Sequence, residues 1–261
     1  MIKWFALAVV FTCIGFCPMR ADAERPVVQT KPLHERPVLT ATKRFKRKMA
    51  LVNDRNADRT INYYWYAPSP PYPEGVEFPL VVILHGGTGY SYAGKYLTNS
   101  EVQMKYPAFV LVPMIPEHAI WSFPEPTSNK QELPNVVKLI KQLSKKYPID
   151  KRRIYILGCS MGGYGVFGAS SFYDHVFAAG ISISGSWEPL QAKQMTKMPL
   201  LVMAGSRDTA VKTSDTRAVV TALKSVNAPV QSVEYDMGHY CPAPHFYSEK
   251  VWKWLFQHKM K

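Results

Sequence analysis

The chain has 261 residues, a net charge of +13 and 47% hydrophobic residues. That length suits one sizeable α/β domain with a full core, and the sequence holds no internal repeat and no low-complexity segment. No His/Cys/Asp/Glu cluster has metal-ligand spacing and no Gly-rich loop has a lysine placed to hold phosphates, so neither a metal nor a cofactor is implied.

Residues 1–23 read as a secretory signal peptide of bacterial type. Met1-Ile2-Lys3 is a short charged start, and Trp4 to Phe16 is apolar but too short to span a bilayer comfortably. Ala21-Asp22-Ala23 then offers a small-x-small cleavage site. This reading sends the mature protein to the periplasm or the exterior; an uncleaved membrane anchor is the alternative. A lipoprotein is disfavoured because Phe16 is too large for the residue before Cys17. Cleavage removes Cys13 and Cys17 and leaves Cys159 and Cys241.

Residues 24–44 read as an extended basic lead-in, with Pro26, Pro32 and Pro37 and no clear periodicity. Residues 24–50 hold eight Lys/Arg against two Glu. The run Lys43-Arg44-Phe45-Lys46-Arg47-Lys48 suits weak contact with anionic envelope material or nucleic acid. The simpler reading is a solvated arm and an edge strand whose lysines discourage pairing, with no specific nucleic-acid partner.

From Phe45 to Val52 and from Ile61 to Tyr66 the pattern predicts two strands, joined across turn residues 53–58 as a hairpin at one edge of a sheet. Leu80 to Leu84 is a continuous apolar run, as expected of a central strand covered on both faces. It ends in His85-Gly86-Gly87. A short helix is expected near Asn99 to Lys105, a second central strand over Ala108 to Met114, and a loop over Glu117 to Lys130. The next helix has Pro134 near its start and Val136, Val137, Leu139, Ile140 and Leu143 on one face.

Ile154 to Leu157 is a buried strand that runs into Gly158-Cys159-Ser160-Met161-Gly162, followed by a helix through Phe172. Strand, tight turn and helix is the setting in which Gly-x-Ser-x-Gly becomes a nucleophile elbow. Strands over Phe177 to Ser184, Pro199 to Ala204 and Val230 to Tyr235 follow, with a helix to about Val226 and a C-terminal helix carrying Val251, Trp252, Trp254 and Leu255. The gap from Gly185 to Met198 has room for one small helix and none for an inserted lid domain. Alternating strands and helices predict an α/β protein with a mainly parallel central sheet and helices on both faces.

A serine nucleophile needs a base, and the base needs an orienting group. In open α/β sheets such groups gather at the carboxyl ends of the strands. Ser160, Asp208 and His239 each follow a strand, in the chain order Ser, Asp, His. Asp215 is the rival acid but falls inside the expected helix. His245 is the rival base but lies further from its strand and beside Pro244.

From about Phe45 to the end, the chain resembles the α/β-hydrolases. Leu84-His85-Gly86-Gly87, Gly158-Cys159-Ser160-Met161-Gly162-Gly163 and Asp150-Lys151-Arg152-Arg153-Ile154-Tyr155 are similar to secreted esterases of the polyhydroxybutyrate-depolymerase and feruloyl-esterase-like group and to peptidase-like bacterial proteins. The resemblance makes residues 45–261 a catalytic domain of α/β-hydrolase fold. It gives His85 a structural role, bracing the oxyanion loop. The expected oxyanion donors are the N–H of Met161, at a helix start, and that of Gly87.

Some secreted feruloyl esterases and tannases bridge a cysteine before the serine to one after the histidine. By that resemblance Cys159 and Cys241 form a disulfide, although here Tyr240 intervenes after His239; a buried free Cys159 is the alternative. Trp121, Phe123 and Trp187 are candidates to wall the substrate cleft. Three functions follow: a secreted serine esterase acting on small or polymeric esters, a serine peptidase of the same fold, and a non-catalytic envelope-binding protein.

Overall fold

Leu80, Val82 and Leu84 alternate with Val81 and Ile83, and a strand sends alternate residues to opposite faces. A strand that is apolar on both faces needs a cover on both. The computed structural model describes residues 44–54, 57–89, 91–122, 124 and 131–261, all within one compact unit running Lys31–Lys261. In it Leu80, Val82 and Leu84 join one core cluster, while Val81 and Ile83 join another on the opposite face.

The sheet has eight strands in the order β1-β2-β4-β3-β5-β6-β7-β8. They are β1 (Lys46–Asp54), β2 (Ala57–Tyr66), β3 (Phe78–Leu84), β4 (Phe109–Met114), β5 (Ile149–Cys159), β6 (Ala179–Ile183), β7 (Leu200–Gly205) and β8 (Val230–Tyr235). β1 and β2 form the antiparallel edge hairpin, with Ala50 opposite Ile61, and β2 runs antiparallel to β4. Every other pairing is parallel. This is the mainly parallel, helix-covered sheet that the alternation predicts.

The first core cluster packs α3 (Leu133–Lys146), α4 (Met161–Phe172) and α5 (Thr213–Ser225) on one face, through Val136, Phe167 and Leu223 among others. The second packs α1 (Tyr92–Leu97) and α6 (Glu249–Phe256) on the other, through Leu97, Trp252 and Leu255. The remaining helix, α2 (Ser100–Lys105), starts where Asn99 Oδ1 accepts the Glu101 N–H at 2.9 Å. Between β6 and β7 stands only a short 3-10 helix, Pro189–Gln194, so no domain overhangs the carboxyl ends of these strands. Among the described residues no helix is long and apolar enough to cross a membrane. The segment read as a signal peptide and the basic lead-in through Lys43 lie outside the described residues.

Candidate active site

β5 ends at Cys159 and α4 begins at Met161, leaving Ser160 alone at the turn with φ 57° and ψ −122°. A side chain in that region stores roughly 1–3 kcal/mol of strain, which the surroundings must hold in place. Here the Ser160 N–H donates to the Ile183 carbonyl at 2.9 Å, and the Ser160 carbonyl accepts from Tyr164 N–H at 3.1 Å. The turn is possible because of two glycines. A Cβ on Gly158 would lie 2.4 Å from the Gly162 carbonyl oxygen, and one on Gly162 would lie 2.2 Å from that of Leu84.

Asp208 stands in the turn after β7 and His239 in the turn after β8. Nδ1 of His239 lies 2.7 Å from Oδ2 of Asp208, whose side chain is fully buried. The other oxygen, Oδ1, accepts the N–H groups of Ala210 and Val211 at 3.0 Å each. Burial alone would raise the Asp208 carboxyl, but the hydrogen bonds from His239 and Val211 outweigh it and hold the group below the usual carboxylate range. An ionised Asp208 fixes the proton on Nδ1, which leaves Nε2 of a neutral ring as the acceptor. Neither His239 Nε2 nor Ser160 Oγ makes a hydrogen bond among the described residues. The Asp–His contact is therefore closed in this structure and the Ser–His contact is not; such contacts often tighten only when substrate is bound.

A covalent link draws the two loops together. Cys159 and Cys241 form a disulfide with Cα atoms 5.9 Å apart, across 82 positions of chain. The rival His245 instead stacks on Tyr235, ring centroids 4.0 Å apart. Asp215 is exposed in the first turn of α5.

The glycine loop after β3 lies over the elbow: a Cβ on Gly86 would be 3.6 Å from Ser160 Cβ. Gly87 is the next residue, with open space where its side chain would be. Met161 opens α4, so its N–H has no carbonyl one turn back to bond. His85 is fully buried. Its Nε2 accepts the Ile115 N–H at 3.4 Å, so Nδ1 carries the proton and donates to the Gly86 carbonyl at 2.8 Å. Burial pushes its pKa down from 6.5 to about 4, against the smaller pull of the Gly86 bond.

Trp121 requires a correction. Expected in the cleft wall, it is instead fully buried. Its indole N–H donates to the His85 carbonyl at 2.8 Å, and its ring meets that of His85 edge-on at 4.8 Å. It stiffens the glycine loop from behind, because a buried indole N–H needs an acceptor and the loop carbonyl supplies one. Trp187 does line a cleft of about 680 Å³ beside Ser160 and Met161. Phe123 lies outside the described residues. Sequence reasoning missed Tyr164, Ser186, Glu188 and Val211, which also line that cleft. Tyr164 had a signal, one helical turn after Ser160, and Ser186 and Glu188 had another, just beyond the carboxyl end of β6. His239 is not part of the cleft wall. Among the described residues no group of three or more His, Cys, Asp or Glu could hold a metal.

Set beside solved structures, the chain matches a thermostable esterase with a TM-score of 0.72 and 27% identity, covering 83% of this chain and 64% of that one. The chain is an α/β-hydrolase. Its matches include esterases and peptidases. A ferulic acid esterase matches this α/β-hydrolase with a TM-score of 0.63 at 14% identity, over 82% of this chain and 97% of that one. Pyrococcus horikoshii acylaminoacyl peptidase matches at 0.63 and 17% identity, over 82% of this chain but 41% of its own. At these lower identities the likeness is one of fold. The family model of the prolyl oligopeptidase family, Peptidase_S9, matches residues 126–198, a segment that includes the elbow. A comparison with curated proteins finds no match.

Proposed function

We propose that this α/β-hydrolase is a serine carboxylic-ester hydrolase. Ser160 Oγ attacks the ester carbonyl while His239 Nε2 takes its proton. Asp208 holds the ring and stabilises the imidazolium that forms. The N–H groups of Met161 and Gly87 receive the developing oxyanion; losing one such donor typically lowers the rate roughly 10²–10³-fold. His239 then protonates the leaving alkoxide, and water, deprotonated in turn by His239, releases the acid from the acyl-enzyme.

The observation that carries this reading is the closed His239–Asp208 bond on a loop tied by disulfide to the residue before Ser160. The direct test uses a fluorophosphonate and a short aryl ester without added metal. Label should attach to Ser160, and Ser160→Ala should lose both labelling and turnover while keeping its fold. Undiminished turnover in that variant overturns the mechanism.

The match of residues 126–198 to the prolyl oligopeptidase family favours a second reading, a peptidase with the same three residues. The 27% identity to an esterase over most of the chain favours the first. Parallel assays on aryl esters and peptide amides separate them. We also propose that residues 1–23 are removed on export to the periplasm or beyond. The Cys159–Cys241 disulfide supports this, since such bonds persist mainly in oxidising compartments.

A further inference from the structure

The cleft beside Ser160 has a charge opposite to that of the protein. The chain carries a net +13. Yet the described residues that line the cleft include two carboxylates, Glu188 and Asp215, and no Lys, Arg or His. The carboxylates come from neighbouring elements that pack together: Glu188 precedes the 3-10 helix Pro189–Gln194, and Asp215 lies in the first turn of α5. Each has one local bond. Glu188 Oε1 accepts the Leu190 N–H at 3.3 Å, and Asp215 Oδ1 accepts the Ser214 hydroxyl at 3.1 Å. Neither forms an ion pair among the described residues, so each keeps an oxygen uncommitted.

A second observation is independent of charge. Ser186 is only 4% exposed, lines the cleft, and makes no hydrogen bond through its hydroxyl among the described residues. Its hydroxyl oxygen is not sealed off from solvent, so the small exposed part of a residue that is otherwise buried leaves an uncommitted donor and acceptor at the cleft wall, available to a ligand. Tyr164 stands on the same wall with its hydroxyl likewise unpaired among the described residues. Burial, and then the negative charges of Asp215 and Asp208, raise its pKa, so it stays a neutral donor. The rest of the wall is largely apolar, including Ile120, Trp187 and Val211. About 680 Å³ is within the range of sites that enclose a small organic group.

We propose that this cleft selects substrates whose bound portion is an apolar chain or ring ending in a cation, a protonated amine or guanidinium. Glu188 and Asp215 face the cation, and the Ser186 and Tyr164 hydroxyls serve its remaining polar atoms. The proposal rests on the esterase reading for the position of the scissile bond. It adds to that reading a class of substrate.

The test compares 4-nitrophenyl esters of 6-aminohexanoic and heptanoic acids, which match in length and differ in charge. With each rate normalised to that ester's spontaneous hydrolysis, kcat/KM should favour the amino ester about tenfold at low salt, the scale expected of two partly exposed charges. The preference should shrink as salt rises, because exposed charges are screened. It should fall toward one in the double variant Glu188→Gln/Asp215→Asn. A ratio of one or below in the unaltered protein overturns the proposal, as does a preference that the double variant keeps. If neither ester is cleaved, the esterase reading fails, and the proposal is then read by binding alone. Calorimetry on Ser160→Ala with 4-phenylbutylammonium and 4-phenylbutanol should show tighter binding of the cation, lost in the added double variant. Equal binding of the two rejects it.

Discussion

His85 and His239 each follow a strand of the parallel block, at the same end of the sheet, yet the chain turns them to different uses. His85 has no exposed surface and both ring nitrogens on backbone groups. His239 has a quarter of its side chain exposed and a buried carboxylate on Nδ1. A dry pocket, and a backbone N–H that needs the Nε2 lone pair, disfavour an imidazolium at His85 despite the Gly86 carbonyl; the buried carboxylate beside Nδ1 of His239 would stabilise one as it forms. Position at a strand end thus nominates a histidine, and the partner of Nδ1 decides what it does.

The strongest way to break that contrast is to remove each ring. His239→Ala should lower kcat on a short aryl ester roughly 10⁴–10⁶-fold with the fold intact, the scale seen when a proton shuttle of this kind is lost. Circular dichroism and steady-state kinetics on the same sample check both halves. Asp208→Asn should come next, at roughly 10⁴-fold, because an amide stabilises the wrong tautomer of the ring. A loss of tenfold or less would mean that the 2.7 Å contact orients nothing.

Reduction of the disulfide sharpens the comparison by loosening only one of the two histidines. The chain-entropy model gives about 4.5 kcal/mol for a ring of this length, as an upper figure. Activity should fall before global unfolding, since the bond anchors the His239 loop and not the His85 loop. Thiol titration alongside activity and near-ultraviolet dichroism, each followed against reductant concentration, would separate the two events.

His85 supplies the pH arm of the contrast. Its folded pKa of about 4 lies below the unfolded 6.5, so an unfolding chain takes up a proton that the folded one refuses. Stability from this group is complete above pH 6.5 and is lost as pH falls toward 4, by about 3 kcal/mol in total. Urea unfolding across that window should show the slope, and His85→Phe should flatten it whatever its own stability. Asp208, held low, contributes a separate loss only as pH falls below its ordinary 3.8. The smallest effect belongs to the basic lead-in: if it only solvates, as its sequence suggests, deleting residues 24–42 should leave turnover of a small neutral ester within about twofold, and a larger loss would show that it supports the site.

The parallel strands were legible because both-face burial demands unbroken apolar runs, and Leu80–Leu84 supplies one. The strand-end positions of Ser160 and Asp208 were legible from such runs in β5 and β7, whereas His239 follows β8, an edge strand with exposed Gln231, Ser232 and Glu234, and was reached through the chain order Ser, Asp, His. Helix α1 was not: its six residues include Gly94, and Ser91 makes no side-chain cap. Trp121 misled because an aromatic residue in a loop has no period to say which way it faces; only the distant His85 carbonyl decides that. The acidic side of the cleft was equally hidden. It exists because the 3-10 helix packs on α5, a contact between segments that no local pattern announces.

The bridge between Cys159 and Cys241 also changes the topology of the chain as a graph. Residues 159–241 become a closed ring that carries Ser160, Asp208 and His239 together. A protease that nicks the exposed turn at Lys212, or the 3-10 helix at Lys193, opens this ring without producing two separate molecules. The nicked protein should run as one band on a non-reducing gel and as two after reduction. A cut inside the ring leaves one covalent molecule, whereas a cut outside it severs the chain outright.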